Sequence, residues 1–335
     1  MSYDDFAPRL AMAVARHIGA PGTVHDLQRL TGGAIKTTWS FAADIGGERQ
    51  RFIVQLSGGI VSEAPTPSAE GPNWASTERD ARVMLAAVNA GVPAPRVRAI
   101  LDEADGIGPG YITEWVAGET LGPRIVREER FAPARALMAA QCGRILADIH
   151  RIAVDEVTFL NRFDPAQLLA NRRQIVDFYG LRLPALEFGL RWVGEHLPEK
   201  VHHTVVHGDF RTGNLIVDET EGIRCVLDWE VAHVGDPMLD LGWLCVKTWR
   251  FSGQPPVGGF GSREELFAAY EHASGHAVDP ARVRFWEAFG CVKWAVDCLQ
   301  IGMHGVEEVG IERSAVGRRI EEPLWDFLNL VEERD

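Results

Sequence analysis

No stretch of this 335-residue sequence approaches the run of about 18 apolar residues that a membrane-spanning helix requires. The first turns are broken by Asp4, Asp5, Arg9 and Arg16, so a secretory leader, which needs a basic start and an unbroken apolar run, is not expected. There is no low-complexity block, fixed-period repeat or heptad pattern, which argues against solenoids and coiled coils. Cysteine is sparse. Cys142, Cys225, Cys245, Cys291 and Cys298 form no CxxC pair and sit mostly among apolar neighbours. Buried free thiols in a reducing compartment are the expectation, and the chain reads as cytoplasmic. An excess of basic residues is missing too. With 34 Lys and Arg against 47 Asp and Glu, the formal net charge of −13 has the wrong sign for neutralising nucleic-acid phosphates. Neither a nucleic acid nor a membrane is an expected partner.

What is present is enough apolar residue, 46%, for one large core or two closely packed lobes. Phe6, Leu10, Ala13, Val14 and His17 recur at helical spacing over residues 4–18. Strand patterns follow at Val24–Leu30, Thr37–Ala43 and Arg51–Leu56, the last two joined by Gly46-Gly47 as a tight hairpin. Ser57 to Asn73 is a Gly-, Pro- and Ser-rich loop. Ser76 or Thr77 then caps a helix that Gly91 and Pro93 stop near Ala90. Two short strands fit Arg96–Leu101 and Gly110–Trp115. From Phe131 onward the periodicity is helical, with helices predicted over Ala132–Arg151, Pro165–Phe178 and Ala185–His196. A β-like stretch interrupts them at Thr204–Val206, Leu215–Val217 and Cys225–Leu227. Strands gathered at one end and helices at the other predict an α+β fold, divided at Val116-Ala117-Gly118 into residues 1–116 and 117–335.

The sharpest motif is His207-Gly208-Asp209-Phe210-Arg211-Thr212-Gly213-Asn214, followed after a short apolar hairpin by Asp228-Trp229-Glu230. An Asp, an Asn five positions on, and an Asp beyond a hairpin is the spacing that phosphoryl transfer uses. The first carboxylate orients an attacking hydroxyl and takes its proton, while the Asn amide oxygen and second carboxylate are hard ligands for Mg²⁺. A lone Asp beside Gly is usually a turn residue; the three groups together are what make a site. His207 is expected to brace the loop by hydrogen bonds. His202, His203 and His207 do not read as a metal cluster, because Thr204–Val206 forms a strand that holds them apart.

These two segments, with Gly235-Asp236-Pro237-Met238-Leu239-Asp240-Leu241-Gly242 after them, resemble the aminoglycoside phosphotransferase and choline kinase-like family, relatives of protein kinases. The nearest likeness is to the branch whose kinase-like domains are fused to some acyl-CoA dehydrogenases. The resemblance implies a two-lobe kinase-like fold, with residues 1–116 as a small β-rich nucleotide-binding lobe. Residues 117–335 would form a larger, mostly helical lobe with the catalytic loop and acceptor site. It implies ATP as donor, GTP remaining open, and a small hydroxylated metabolite as acceptor. Arg211 would touch the transferring phosphate, and Asp240 would support the catalytic loop from a helix start.

In kinase-like folds a glycine-rich turn between the first strands covers the phosphates, which here would be Gly32-Gly33 with Lys36 just beyond. A cation on the third strand usually grips the phosphates, and that position carries Gln55. The helix carboxylate that pairs with it would be Asp80, with Glu78 in reserve; helix-dipole stabilisation explains both equally well. Lys36 or Arg51 is expected to supply the charge that Gln55 lacks, although Lys36 also reads as a plain surface lysine. Glu114 and Val116 fall where the family's hinge pairs its backbone with the base. Ser252–Gly261 could form a lid. A non-catalytic nucleotide-binding protein of the same fold is the alternative that Gln55 suggests. The sequence is silent on oligomeric state.

Overall fold

A computed structural model describes residues 3–19, 23–30, 36–57, 76–303 and 315–332. The first helix, α1 (Tyr3–Ile18), carries Phe6, Leu10, Ala13 and Val14 on one buried face. Five strands follow: β1 (Val24–Leu30), β2 (Lys36–Ile45), β3 (Glu48–Ser57), β4 (Val97–Leu101) and β5 (Gly110–Glu114). They form one antiparallel sheet in the order β1-β2-β3-β5-β4. The β2–β3 turn is Gly46-Gly47, with φ of +61° and +87°; positive φ at both central residues gives the hairpin geometry that matches strand twist, and glycine adopts it without steric cost.

Side chains alternate across a strand, so the sheet has two distinct faces. Phe41, Phe52, Val54, Leu56 and Ile112 face α1 and close a small core with it. Tyr111, on the opposite face of β5, belongs instead to the large core of the helical half. The element between is α2 (Thr77–Asn89), whose Ala81, Met84 and Ala87 join that larger core. Ser76 caps it, its Oγ accepting the Arg79 N–H at 3.3 Å.

The remainder is mostly helical: α3 (Gly122–Arg127), α4 (Ala132–His150), α5 (Pro165–Tyr179), α6 (Pro184–Glu195), α7 (Met238–Cys245), α8 (Arg263–Ser274), α9 (Pro280–Gly302) and α10 (Glu321–Glu332). Two short ladders are set among the helices. β6 (Thr204–Val206) pairs with β9 (His233–Gly235), and β7 (Leu215–Asp218) with β8 (Gly222–Val226). Helix α3 and strand β9 are not announced by the sequence pattern, because six and three residues are too short to show a period. Among the described residues no helix is long and apolar enough to cross a membrane. The fold is therefore the expected α+β, kinase-like arrangement of two lobes.

Two backbone links tie β7 and β8 to their surroundings, the first to the connector and the second across to the N-terminal half. Glu119, just past the connector, exchanges N–H···O bonds with Val217 on β7, and the Val226 N–H donates to Pro93 O, after α2, at 2.7 Å. The loop Ser57–Asn73 lies, beyond Ser57, outside the described residues.

Candidate active site

The loop 207–214 runs from β6 to β7, and the loop 227–232 runs from β8 to β9. Because β7 and β8 pair from Leu215↔Val226 onward, the two loops emerge side by side. Leu227 locks them: its N–H donates to Asn214 O at 2.8 Å and its carbonyl bonds His207 Nε2 at 3.0 Å. His207 Nδ1 accepts the Asp209 N–H, so the ring proton sits on Nε2. Burial lowers the pKa of this ring, against the opposing pull of Asp240, and favours its neutral form. Gly208, at φ +78°, approaches the second loop so closely that a Cβ would lie 2.8 Å from Val231 O. Only glycine fits both demands.

Asp240, in the first turn of α7, holds the loop from behind. Its Oδ2 accepts the His207 N–H and its Oδ1 the Gly208 N–H, both at 2.8 Å. His150 on α4 adds a bond to Oδ2 at 3.1 Å and rests on the Tyr270 hydroxyl. Burial alone would raise this carboxyl's pKa; His150 and the backbone donors outweigh it and hold the value down. Asp236 is buried behind α7, bonded to Trp286 Nε1 and the Met238 N–H.

Asp209 is fixed by three side-chain donors. Trp243 Nε1 reaches Oδ1 at 2.7 Å, Asn214 Nδ2 reaches Oδ2 at 2.7 Å, and Arg211 Nε bonds Oδ1 at 3.0 Å. The Arg211 guanidinium lies 4.5 Å from the Trp249 ring centre. With its NH₂ directed at Asp209, Asn214 has Oδ1 as its remaining polar end. Asp228 takes a left-handed conformation, φ +67° and ψ +63°, uncommon outside glycine and typical of constrained sites. Its side chain is open to solvent although protein surrounds it on most sides, as at the floor of a cleft. That crowding, with the negative charges of Glu230 and Asp209, pushes its carboxyl up to about 7. The amide oxygen and this carboxylate are two hard oxygen donors of the kind Mg²⁺ takes, with room for further oxygens from solvent or phosphate. Among the described residues no three His, Cys, Asp or Glu side chains form a metal cluster.

On the sheet, Thr38, Gln55 and Tyr111 form one row across three strands, since Thr38 faces Gln55 and Gln55 faces Tyr111. The Gln55 amide is engaged at both ends, by Thr38 Oγ1 at 3.2 Å and by the Tyr111 hydroxyl. Lys36 is not a solvated surface lysine: its ammonium lies 2.5 Å from Asp80 Oδ2 and 3.0 Å from Glu230 Oε2, with the side chain 8% exposed. Burial opposes its charge, but Tyr111, Asp80 and Glu230 outweigh that and raise its pKa. Arg51 is elsewhere, over the Trp115 ring at 3.9 Å, four residues along β3 from Gln55. Glu78 forms an exposed pair with Arg82. The Glu114 side chain forms a partly exposed pair with Arg98 at 2.8 Å, and Val116 is half-buried in the connector. Gly32 and Gly33 lie outside the described residues.

The sequence reading missed Trp243 as a partner of Asp209, although its position three residues after Asp240 puts both on one helix face. It also missed Glu230 as a partner of Lys36, for which local spacing gives no signal. Of the segment 252–261 that could form a lid, Ser252 and Gln254 are exposed, while residues 257–261 are packed down. Val257 is fully buried, and Gly258 O accepts the Thr212 hydroxyl while its N–H bonds Leu244 O. Trp243, Trp249 and Trp286 are core, as their spacing suggests, whereas Trp325 is 64% exposed. A cavity of about 400 Å³ beside His150, Tyr270 and Arg282 lies behind Asp240 and includes none of Asp209, Asn214 or Asp228.

Residues 26–286 match the model of the phosphotransferase enzyme family. Among curated relatives, acyl-CoA dehydrogenase family member 10 of Mus musculus is 31% identical over 195 residues, covering 56% of this chain and 18% of its own length. Family member 11 of Gallus gallus is 25% identical over 279 residues, covering 78% of this chain and 34% of its own length. The chain thus spans only 18% and 34% of the length of these two relatives. A Ralstonia eutropha structure described as a candidate aminoglycoside phosphotransferase superposes with a TM-score of 0.71 at 20% identity, covering 98% of both chains. Choline kinase from Cryptosporidium parvum superposes at 0.59 with 13% identity, over 92% of this chain and 89% of its own. The GDP complex of aminoglycoside 2′-phosphotransferase-IIIa superposes at 0.63 with 13% identity, over 96% and 99%.

Proposed function

The chain belongs to the phosphotransferase enzyme family, and we propose that it transfers the terminal phosphate of a nucleoside triphosphate, with Mg²⁺, to a hydroxyl group of a small metabolite. The observation that carries this reading is the meeting of Asp209, Asn214 and Asp228 on two adjacent, mutually bonded loops. Asp209 would orient the acceptor hydroxyl and take its proton as the oxygen–phosphorus bond forms and the bridging bond to the departing diphosphate breaks. Asn214 Oδ1 and the Asp228 carboxylate would hold the cation, which when bound neutralises charge on the phosphates. Arg211 would leave Asp209 for an incoming phosphate oxygen, with its packing on Trp249 as a pivot. His207 and Asp240 would keep the loop in shape. ATP is the donor we favour, with GTP open, since a fold neighbour was solved as a GDP complex. The backbone near Glu114 and Val116 would meet the base.

The test is transfer of labelled γ-phosphate from ATP or GTP to pooled alcohols in the presence of Mg²⁺. Asp209→Asn should lower turnover by about a thousandfold or more while leaving nucleotide binding within a few-fold. A neutral Gln55 where kinase-like folds place a cation favours a second reading, a nucleotide binder without turnover. Binding of Mg·ATP with no transfer to any alcohol would establish that reading in place of the first.

A further inference from the structure

We infer that Lys36, on the first residue of β2, is the cation that grips the nucleotide's phosphates, in place of the neutral Gln55 on β3. The inference rests on the proposed nucleotide site. It begins with strand geometry. Thr38 stands directly opposite Gln55, and Lys36 is two residues from Thr38, so all three side chains project from the same face of the sheet. A diagonal neighbour of this kind lies within reach of a long side chain. The Lys36 ammonium can therefore fill the space that a β3 lysine would fill, arriving from the adjacent strand.

The partners support the same assignment. Kinase-like sites pair their phosphate-holding lysine with a carboxylate from the neighbouring helix. Lys36 meets Asp80 of α2 at 2.5 Å and also Glu230, two residues after Asp228, at 3.0 Å. It thus stands between the helix and the loop proposed to carry the cation. Asp80 is fully buried, with Arg79 at 3.7 Å on its other side. Arg79 donates to Glu230 O, so it braces α2 against that loop. Arg51 is held over Trp115, roughly 13 Å along the strand by the usual rise per residue. The Gln55 amide is already engaged by Thr38 and Tyr111.

A purely structural role for Lys36, pinning α2 to the sheet, makes a different prediction, and a nucleoside separates the two. Titration calorimetry compares Mg·ATP and adenosine on the full chain. Lys36→Ala should bind Mg·ATP about 10- to 100-fold more weakly, the usual loss for a charge-assisted phosphate contact, and adenosine within about twofold of the wild type. Lys36→Arg should retain most of the Mg·ATP affinity. In Lys36→Ala/Gln55→Lys the ammonium returns to β3, and part of the loss should be recovered. If Lys36→Ala weakens both ligands by the same factor, or neither, while the wild type binds, the assignment is wrong and the kinase reading stands. If the wild type binds neither Mg·ATP nor Mg·GTP, both readings fall.

Discussion

At the scale of single residues, Asp228 shows how a site can be arranged at the expense of the fold around it. Its carboxyl is raised to about 7 by crowding and by Glu230 and Asp209, so in the folded chain ionisation is opposed by its surroundings. The sign follows from linkage. An unfolded aspartate ionises near pH ~4, so as the pH rises from there the unfolded state loses a proton that the folded state still holds. Stability falls until the folded group also ionises, near 7, and then levels off. Asp228→Asn should therefore match the wild type in Tm near pH 4, without divalent cations, and exceed it at pH 8. Thermal melts across that range check this, and equal Tm values at pH 8 would contradict it. Added Mg²⁺ should raise the Tm of the wild type more than that of the variant, because a cation offsets the same charge that the amide removes.

At the scale of elements, α2 links the sheet to the helical half. One side packs into the helical half through Ala81, Met84 and Ala87, and its first turn presents Arg79 and Asp80 to Glu230 and Lys36. The orientation of that turn depends on the Ser76 cap, which satisfies one of the backbone donors that a helix start leaves open. Ser76→Ala should cost about 1 kcal/mol in denaturant unfolding. It should also speed hydrogen exchange in the first turn of α2 more than in α4, which has no such cap to lose. Stability unchanged within error would show that packing alone holds the helix. The β7–β8 hairpin follows a similar logic: its pairing fixes the spacing between Asn214 and Asp228 more firmly than either loop could alone.

For the whole molecule, all five cysteines are buried free thiols, and all five lie beyond the connector. Burial raises the pKa of Cys142, Cys225, Cys245, Cys291 and Cys298, and an inaccessible, protonated thiol does not react. Native protein should thus show almost no fast reaction with a thiol-specific disulfide reagent at pH 8, and all five thiols should react after denaturation. Because each cysteine is in the helical half, the slow native reaction should follow the unfolding of that half. Fast reaction of even one thiol in native protein would contradict the packing described.

The sequence by itself determined the order of elements and which polar side chains stand on the two central loops. Helix period, strand alternation, Gly46-Gly47 and the capping serine are local signals, and Asp209, Asn214 and Asp228 are close enough along the chain for their spacing to carry meaning. Which charges meet across the cleft was decided only by the tertiary structure. Lys36, Asp80 and Glu230 come from a strand, a helix and a loop far apart in sequence, and choosing Lys36 over Arg51 required the sheet register. Trp243 likewise became a partner of Asp209 only once α7 was laid behind the loop. Local geometry is written in neighbouring residues; an ion pair between distant elements depends on how the sheet and helices pack, and no local pattern records it.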